Sequence, residues 1–359
     1  MKIREDIGAL LEMAISGTRL GEEEALSIYE SRELLPAGRA AGALRHQKLP
    51  GNEVTFVVDR NINYTNICTT GCDFCAFHRP VDSPEGYLLS KDQIFRKVEE
   101  TLELGGTGIM MQGGLHPELG IDYYCDLLRS IRERYDIYIH SLSPPEVWHI
   151  AKVSGLSLEE TLLRLRDAGL GSLPGGGAEI LVDSVRRRVS PKKIGSDTWL
   201  KVMRAAHKVG LKSTATMMFG SVETRAERIE HMRRIRELQD ETGGFTAFIP
   251  WTFQEGNTQL EGSTSSSGFD YLMTVAVSRI FLDNVPSIQA SWVTQGLKVA
   301  QVSLSFGAND MGSTMIEENV VAAAGVSYRV GRDELVAAIR AAGMAPVQRD
   351  NAYNLVERL

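Results

Sequence analysis

Val54-Thr-Phe-Val-Val58-Asp-Arg-Asn-Ile-Asn63-Tyr-Thr-Asn-Ile-Cys68-Thr-Thr-Gly-Cys72-Asp-Phe-Cys75-Ala-Phe-His-Arg79 is the stretch on which the reading of this chain turns. Its first five residues, β-branched and aromatic, predict a strand. That strand leads into a loop with the spacing C-x3-C-x2-C. Three thiolates so close together can converge on one metal centre and leave a coordination position without a protein ligand. A [4Fe–4S] cluster usually takes four cysteines, so three imply one iron open to another molecule. Open positions are where metal sites do chemistry. The rival reading is structural zinc, which wants four protein ligands, with His78 as the fourth.

Outward from the loop, the pattern alternates. Residues 1–50 read as helices, with apolar stripes at Leu10, Leu11, Ala14, Ile15 and at Ala25, Leu26, Ile28, Tyr29. They form an expected N-terminal helical extension to a domain over 51–359. Strand signals then recur at 54–58, 108–111, 137–140, 178–182, 213–219, 245–249, 287–290 and 302–305, with helical patterns between them. Such alternation argues a parallel sheet. Eight units in about 250 residues fit a (β/α)8 TIM-type barrel, and the alternative is an open doubly wound sheet. The polar run Gly262-Ser-Thr-Ser-Ser-Ser-Gly268 is a surface loop or a mobile lid.

Composition excludes several classes. The 359 residues are 43% hydrophobic and 24% charged, as in a globular protein. A formal net charge of −7 argues against nucleic acid held by bulk electrostatics. No apolar run approaches the ~20 residues of a membrane span, and the first sixteen residues do not read as a signal peptide. The fourth cysteine, Cys125, lies in an expected helix and reads as a packing residue. Thiol usage points to a metal site in a reducing, cytoplasmic setting rather than to disulfides.

In a barrel the active site lies at the carboxyl ends of the strands, and polar or aromatic residues gather there. Gln112-Gly113-Gly114 ends the second strand, where glycine lets backbone approach a ligand. His140 ends the third, and Glu179 sits among apolar neighbours in the expected fourth, where a buried carboxylate needs a partner. Ser221, Trp251 and Trp292 follow the next three, and the two indoles suit an aromatic ligand. Asn309 and Asp310 follow the eighth.

The cysteine loop resembles that of the radical S-adenosylmethionine (SAM) superfamily. Cys68, Cys72 and Cys75, with Phe74 before the last cysteine, match its C-x3-C-x-aromatic-C signature. The resemblance implies a [4Fe–4S] cluster on the three cysteines, with SAM on the open iron. It implies SAM contacts from Phe74, Gln112, Gly113, Gly114 and Glu179, and a low-potential electron donor such as flavodoxin or ferredoxin. Asn63-Tyr-Thr-Asn, His140-Ser-Leu-Ser-Pro, Pro174-Gly-Gly-Gly-Ala-Glu179, Gln289-Ala-Ser-Trp292, Gly307-Ala-Asn-Asp-Met-Gly312 and Pro346-Val-Gln-Arg349 are together similar to the menaquinone-pathway (futalosine) branch. Within it the likeness favours a radical cyclase closing a ribose onto a benzoate ring over a sister synthase adding an adenosyl radical to an enolpyruvyl benzoate. It implies a small-molecule substrate held by His140, Trp251, Trp292, Asn309, Asp310, Gln348 and Arg349, the arginine suiting a carboxylate. His140, Asp310 and Ser221 are the catalytic candidates. Ser221 stands where many relatives are expected to carry histidine.

Overall fold

The structure, a computed structural model, describes residues 6–49, 51–263, 266–326 and 328–359. The strands are β1 (Glu53–Val57), β2 (Asp59–Ile62), β3 (Gly108–Met111), β4 (Tyr138–Ser141), β5 (Ser172–Leu173), β6 (Lys212–Phe219), β7 (Phe245–Thr252), β8 (Ser287–Ile288), β9 (Asp310–Ser313), β10 (Ala345–Arg349) and β11 (Leu355–Arg358). β2 to β8 pair in sequence order, all parallel. β9 pairs with β1, which continues into β2 after Val58. A bridge between Gln289 and Asp310, with Ala290 N–H donating to Asp310 O at 2.8 Å, joins the β8 end to β9. The ring is therefore closed, as the alternation predicts.

Sequence explains the layers. β6 is buried along nearly its whole length, as a strand covered on both faces must be. The helix Ser196–Lys208 turns Trp199, Val202, Met203 and Ala206 inward at helical spacing. Lys91–Glu103 starts at a Ser90/Gln93 capping box, and Arg225–Thr242 starts at Thr224/Glu227 and stops at Gly243, φ 58°. The N-terminal helices Ile7–Ile15, Glu22–Ser31 and Leu34–Lys48 share one apolar core with Phe56, Phe219 and Phe248 of the barrel. Gly38 lies against the Phe306 ring, which a Cβ would meet at 2.5 Å.

Two strands differ from the expectation. The fourth is Ser172–Leu173, and the apolar run 178–182 is an unladdered segment just beyond it. The eighth is Asp310–Ser313, and 302–305 instead closes the helix Leu297–Ser303 and its 3-10 extension Leu304–Phe306. The run 178–182 is apolar because it is buried, while 302–305 alternates apolar and polar residues as a strand would but buries only Ser303 and Leu304, at a helix end; a pattern over four or five residues does not separate the two. Of the insert 262–268, Thr264 and Ser265 lie outside the described residues, and Gly268 already opens the helix Gly268–Phe281. Among the described residues no helix is long and apolar enough to cross a membrane.

The chain adds one feature the alternation did not predict. β10 runs parallel to β1 on the side away from β9, from Glu53↔Ala345 to Val57↔Arg349. The turn after it crosses the base of the barrel. Gly108 makes room for that turn: a Cβ there would stand 1.9 Å from Asn351 Oδ1.

Candidate active site

A cavity of about 250 Å³ opens within the barrel. Its wall takes Asp59 and Asn61 from β2, Met110 and Gln112 from β3 and its end, and His140 from β4. Gly176, Glu179, Trp251, Trp292, Gly312, Arg349, Asn351 and Tyr353 complete much of the rest.

The cysteine loop stands at the carboxyl end of β2. Its backbone is pinned: Cys68 N–H donates to Arg79 O at 2.9 Å, and Asp73 N–H to Val189 O at 3.1 Å. All three loop cysteines are free thiols; Cys72 is buried, and Cys68 and Cys75 are half-buried. Burial pushes the Cys72 thiol up, against the pull of Lys193. Burial acts the same way on Cys75, but hydrogen bonds from His78 and the Lys193 charge outweigh it and hold that thiol low. The His78 imidazole is correspondingly raised, first by its hydrogen bond with Cys75. Such an electropositive surrounding favours the thiolate that ligates metal.

Among the described residues no three His, Cys, Asp or Glu side chains converge on a single ion. A tetrahedral zinc with 2.3 Å bonds needs thiolates within about 3.8 Å of one another. In a cubane each thiolate takes a different iron, so the ligands stand further apart. The donor set, three free cysteines on one pinned loop, fits the cluster.

Backbone crowding surrounds that loop. A Cβ on Gly113 would meet the Tyr64 ring at 2.6 Å, and one on Gly114 would meet Ile67 O at 2.1 Å and Cys68 Cβ at 2.9 Å. The end of β3 is thus packed directly on the cysteine loop. Glu146 fixes it from behind. This buried carboxylate accepts from Gly113 N–H (3.0 Å), Tyr64 O–H (2.7 Å), Ser143 N–H (2.8 Å) and Ser143 O–H (2.5 Å). Burial pushes its carboxyl up, and those donors oppose the rise. Glu146 opens an ordinary-looking Ser-Pro-Pro-Glu helix start, so only the capping-box spacing could have signalled it.

Glu179 faces the cavity at φ 42°, a strained angle for glutamate. It is paired already: Arg186 Nη1 is 3.3 Å from Oε2 and Lys193 Nζ is 3.1 Å from Oε1. Arg186 also donates to Gly177 O at 3.1 Å and Ala178 O at 2.5 Å, holding the glycine-rich turn. Lys193 lies 4.9 Å from the Phe74 ring centre, so it links the cysteine loop to Glu179. The sequence reading passed over both cations because they lie in polar stretches.

The other predicted residues separate. His140 lines the cavity; burial, then the Arg349 charge, lower its imidazole to about 3, and Nδ1 meets Ser172 Oγ at 2.6 Å. Trp251 and Trp292 line it too, Trp292 Nε1–H donating to Ser313 O at 2.9 Å. Arg349 reaches it with every nitrogen engaged: Nε and Nη2 grip Asp310 at 2.5 and 3.0 Å, and Nη1 donates to Asp350 O at 2.9 Å. Asp310 is completed by Thr55 O–H (2.5 Å) and Gly312 N–H (2.7 Å). Asp310 itself is not part of this lining, and three further residues stand apart from it. Asn309 is bound to Arg279 and Ile288 N–H near the barrel base. Gln348 accepts from Arg332 Nε at 3.2 Å. Ser221 donates to Glu223 from both N–H (3.0 Å) and O–H (2.8 Å).

Comparison with known proteins now bears on this site. Residues 62–235 match the radical SAM superfamily and residues 242–358 match the CofH/MqnC C-terminal region. Over 351 residues the chain is 50% identical to the cyclic dehypoxanthine futalosine synthase of Halalkalibacterium halodurans, covering 98% of this chain and 95% of that protein. The chain belongs to this radical SAM family. The Streptomyces coelicolor protein of the same name is 46% identical over 98% of this chain and 90% of its own. An aminodeoxyfutalosine synthase from Thermus thermophilus stands lower, 38% identical over 97% and 95%. Radical SAM membership implies a [4Fe–4S] cluster and SAM. Methylornithine synthase shares the fold, with a TM-score of 0.72 at 19% identity over 94% of this chain and 97% of that one.

Proposed function

We propose that the chain converts dehypoxanthine futalosine to cyclic dehypoxanthine futalosine in menaquinone biosynthesis. The observation that carries this is the packing of the cysteine loop against Gly114 at the end of β3 and its link through Lys193 to Glu179, with Gln112 and Glu179 lining one cavity, in a chain 50% identical to a cyclic dehypoxanthine futalosine synthase. When bound, the cluster and SAM would supply one-electron oxidising chemistry at the sugar: the C4′ hydrogen would leave on 5′-deoxyadenosine, and that carbon would close on the benzoate ring with loss of one electron and one proton to restore aromaticity. Cys68, Cys72 and Cys75 would hold the cluster.

Gln112, Gly113, Gly114, Glu179 and Phe74 would hold SAM. Lys193 and Arg186 hold the Glu179 carboxylate still and offset its charge, so it can accept hydrogen bonds without carrying net negative charge into the site. Trp251 and Trp292 would flank the aromatic ring, and the neutral His140 would donate or accept at one nitrogen. Holding ring and sugar in one pose supplies much of the selectivity of an intramolecular attack. Asp310 and Arg349 satisfy each other, so they act here as a scaffold beneath the substrate. The division into a helical extension (1–50) and a catalytic body (51–359), a cytoplasmic setting and a small reducing donor such as flavodoxin or ferredoxin belong to the same reading.

Anaerobic incubation of the reconstituted, reduced protein with SAM and dehypoxanthine futalosine tests it. Product lighter than substrate by two hydrogens, with free 5′-deoxyadenosine, supports the cyclase. Adenosyl incorporated into an enolpyruvyl benzoate instead would make the chain a synthase of the sister kind.

A further inference from the structure

The deep end of the cavity carries polar groups that the fold leaves without partners. Asn61 is 5% exposed and its Oδ1 is buried with no hydrogen-bond partner. It lies two residues after Asp59 on β2, so both side chains share the inward face of the barrel. Asn351, 9% exposed, comes from the turn after β10. Its Nδ2–H donates to Asp59 Oδ2 at 2.7 Å, which fixes the amide so that Oδ1 is the free end, and that oxygen too is buried and unpartnered. Asp59 accepts from Ser313 on its other oxygen. All three residues line the cavity. Arg349 and Tyr353 line both this cavity and a hollow at the barrel base, so the segment from 349 to 353 is the wall between the two.

The chemistry of this floor is lopsided. It presents amide and carboxylate oxygens, which accept, and only neutral donors beside them, the Asn61 amide and the unpartnered Tyr353 hydroxyl. Its one cation, Arg349, already spends its nitrogens on Asp310 and Asp350 O. A carboxylate placed here would face oxygens and find no free donor of matching charge. A cluster of hydroxyls would donate to acceptors that otherwise stay unpaired at a cost. Within the reading of the chain as a cyclase, on which this step rests, the substrate has one such cluster: the hydroxyls of a ribose whose anomeric carbon carries no base.

We propose that Asn61, Asn351 and Asp59 form a hydroxyl-accepting floor that seats the free hydroxyls of the ribose, making the reducing sugar, rather than the benzoate, the deep end of the bound substrate. The floor is then a specificity element. It closes the barrel where a nucleoside would need to extend its base, and it selects the base-free sugar. Gly108 supports it by leaving the space that Asn351 Oδ1 fills.

The test is calorimetric binding to the anaerobic, cluster-reconstituted protein with SAM present, using dehypoxanthine futalosine, its methyl glycoside and its 2- and 3-deoxyribose forms. Wild type should bind the parent at least about tenfold more tightly than the weakest of the capped or deoxy forms, the scale of one buried acceptor left unpaired. Asn61→Ala, which removes no hydrogen bond made by the fold, and Asn351→Ala should each shrink the preference at one hydroxyl by about threefold or more. Equal affinity of wild type for all four ligands, or a preference unchanged in both variants, overturns the floor while leaving the cyclase reading standing. Absence of binding to the parent sugar by wild type would overturn both.

Discussion

Arg349→Met and Asp310→Asn, singly and together, test whether this buried pair is scaffold or substrate contact. The side chains are 4% and 0% exposed, and the guanidinium grips the carboxylate through two nitrogens. Removing one member of such a pair costs about 3–5 kcal/mol, because the other is left as an uncompensated buried charge. Arg349→Met strands Asp310 with only Thr55 and Gly312 as donors. Asp310→Asn strands the arginine between β1, β9 and β10. An unfolding entropy of roughly 2.1 cal/mol/K per residue makes about 0.75 kcal/mol/K for 359 residues. Each single change should therefore lower the thermal midpoint by about 4–7 °C. The double variant should fall by clearly less than the sum, since neither charge is then alone. Scanning calorimetry of the anaerobic protein at one fixed scan rate reads the midpoints, and titration calorimetry reads substrate affinity. A normal midpoint in Arg349→Met, combined with loss of more than about tenfold in substrate affinity, would refute the scaffold role and return the arginine to the substrate carboxylate.

Three further outcomes follow from the same geometry. Cys68→Ser, Cys72→Ser and Cys75→Ser should each lose more than about half of the bound iron, whereas Cys125→Ser should keep it, since that thiol packs in a helix 3.6 Å from Arg164 O; iron and sulfide analysis with absorbance checks this. Gly114→Ala should fold yet load iron poorly, because its Cβ would collide with Ile67 O at 2.1 Å and push the cysteine loop away; circular dichroism and iron content separate the two effects. Acid should destabilise the protein through buried neutral histidines: burial lowers His140 and His231 to about 3 and His207 to about 4. Their folded values lie below the ordinary 6.5, so the unfolded chain takes up protons first. The stability they confer is complete above pH ~6.5 and drains between there and pH ~3–4, at about 1.4 kcal/mol per pH unit for each. Asp59 and Glu146, raised by burial, act in the opposite sense and blunt the fall. The thermal midpoint at pH 5 should lie below that at pH 7, and His207→Gln should reduce the difference.

The barrel was legible because its signal is repetitive: apolar runs such as 108–111 and 213–219 alternate with amphipathic helices. What escaped was strand identity where burial and pairing part company. The run 178–182 is buried but unladdered, while Asp310-Met-Gly-Ser313 is a true strand without a β-branched residue. At the site, the cysteine spacing and Gln112-Gly-Gly are local in sequence and could be read directly. Glu146 and Asn351 act through Tyr64 and Asp59, distant in sequence, Arg186 and Lys193 meet Glu179 only once the glycine-rich turn folds back, and Asn61 has no partner in the fold; no spacing rule reaches them. Arg349 shows the converse difficulty: its chemistry suits a carboxylate, and a carboxylate does bind it, but that carboxylate belongs to the chain itself.

The central claim is that this cavity holds ribose C4′ against the radical source. Substrate carrying deuterium only at C4′ reads that placement directly, by mass analysis of the 5′-deoxyadenosine released in a single turnover. The account predicts one deuterium in the 5′-deoxyadenosine and none in the cyclic product. Unlabelled 5′-deoxyadenosine beside cyclic product that keeps its deuterium would contradict it.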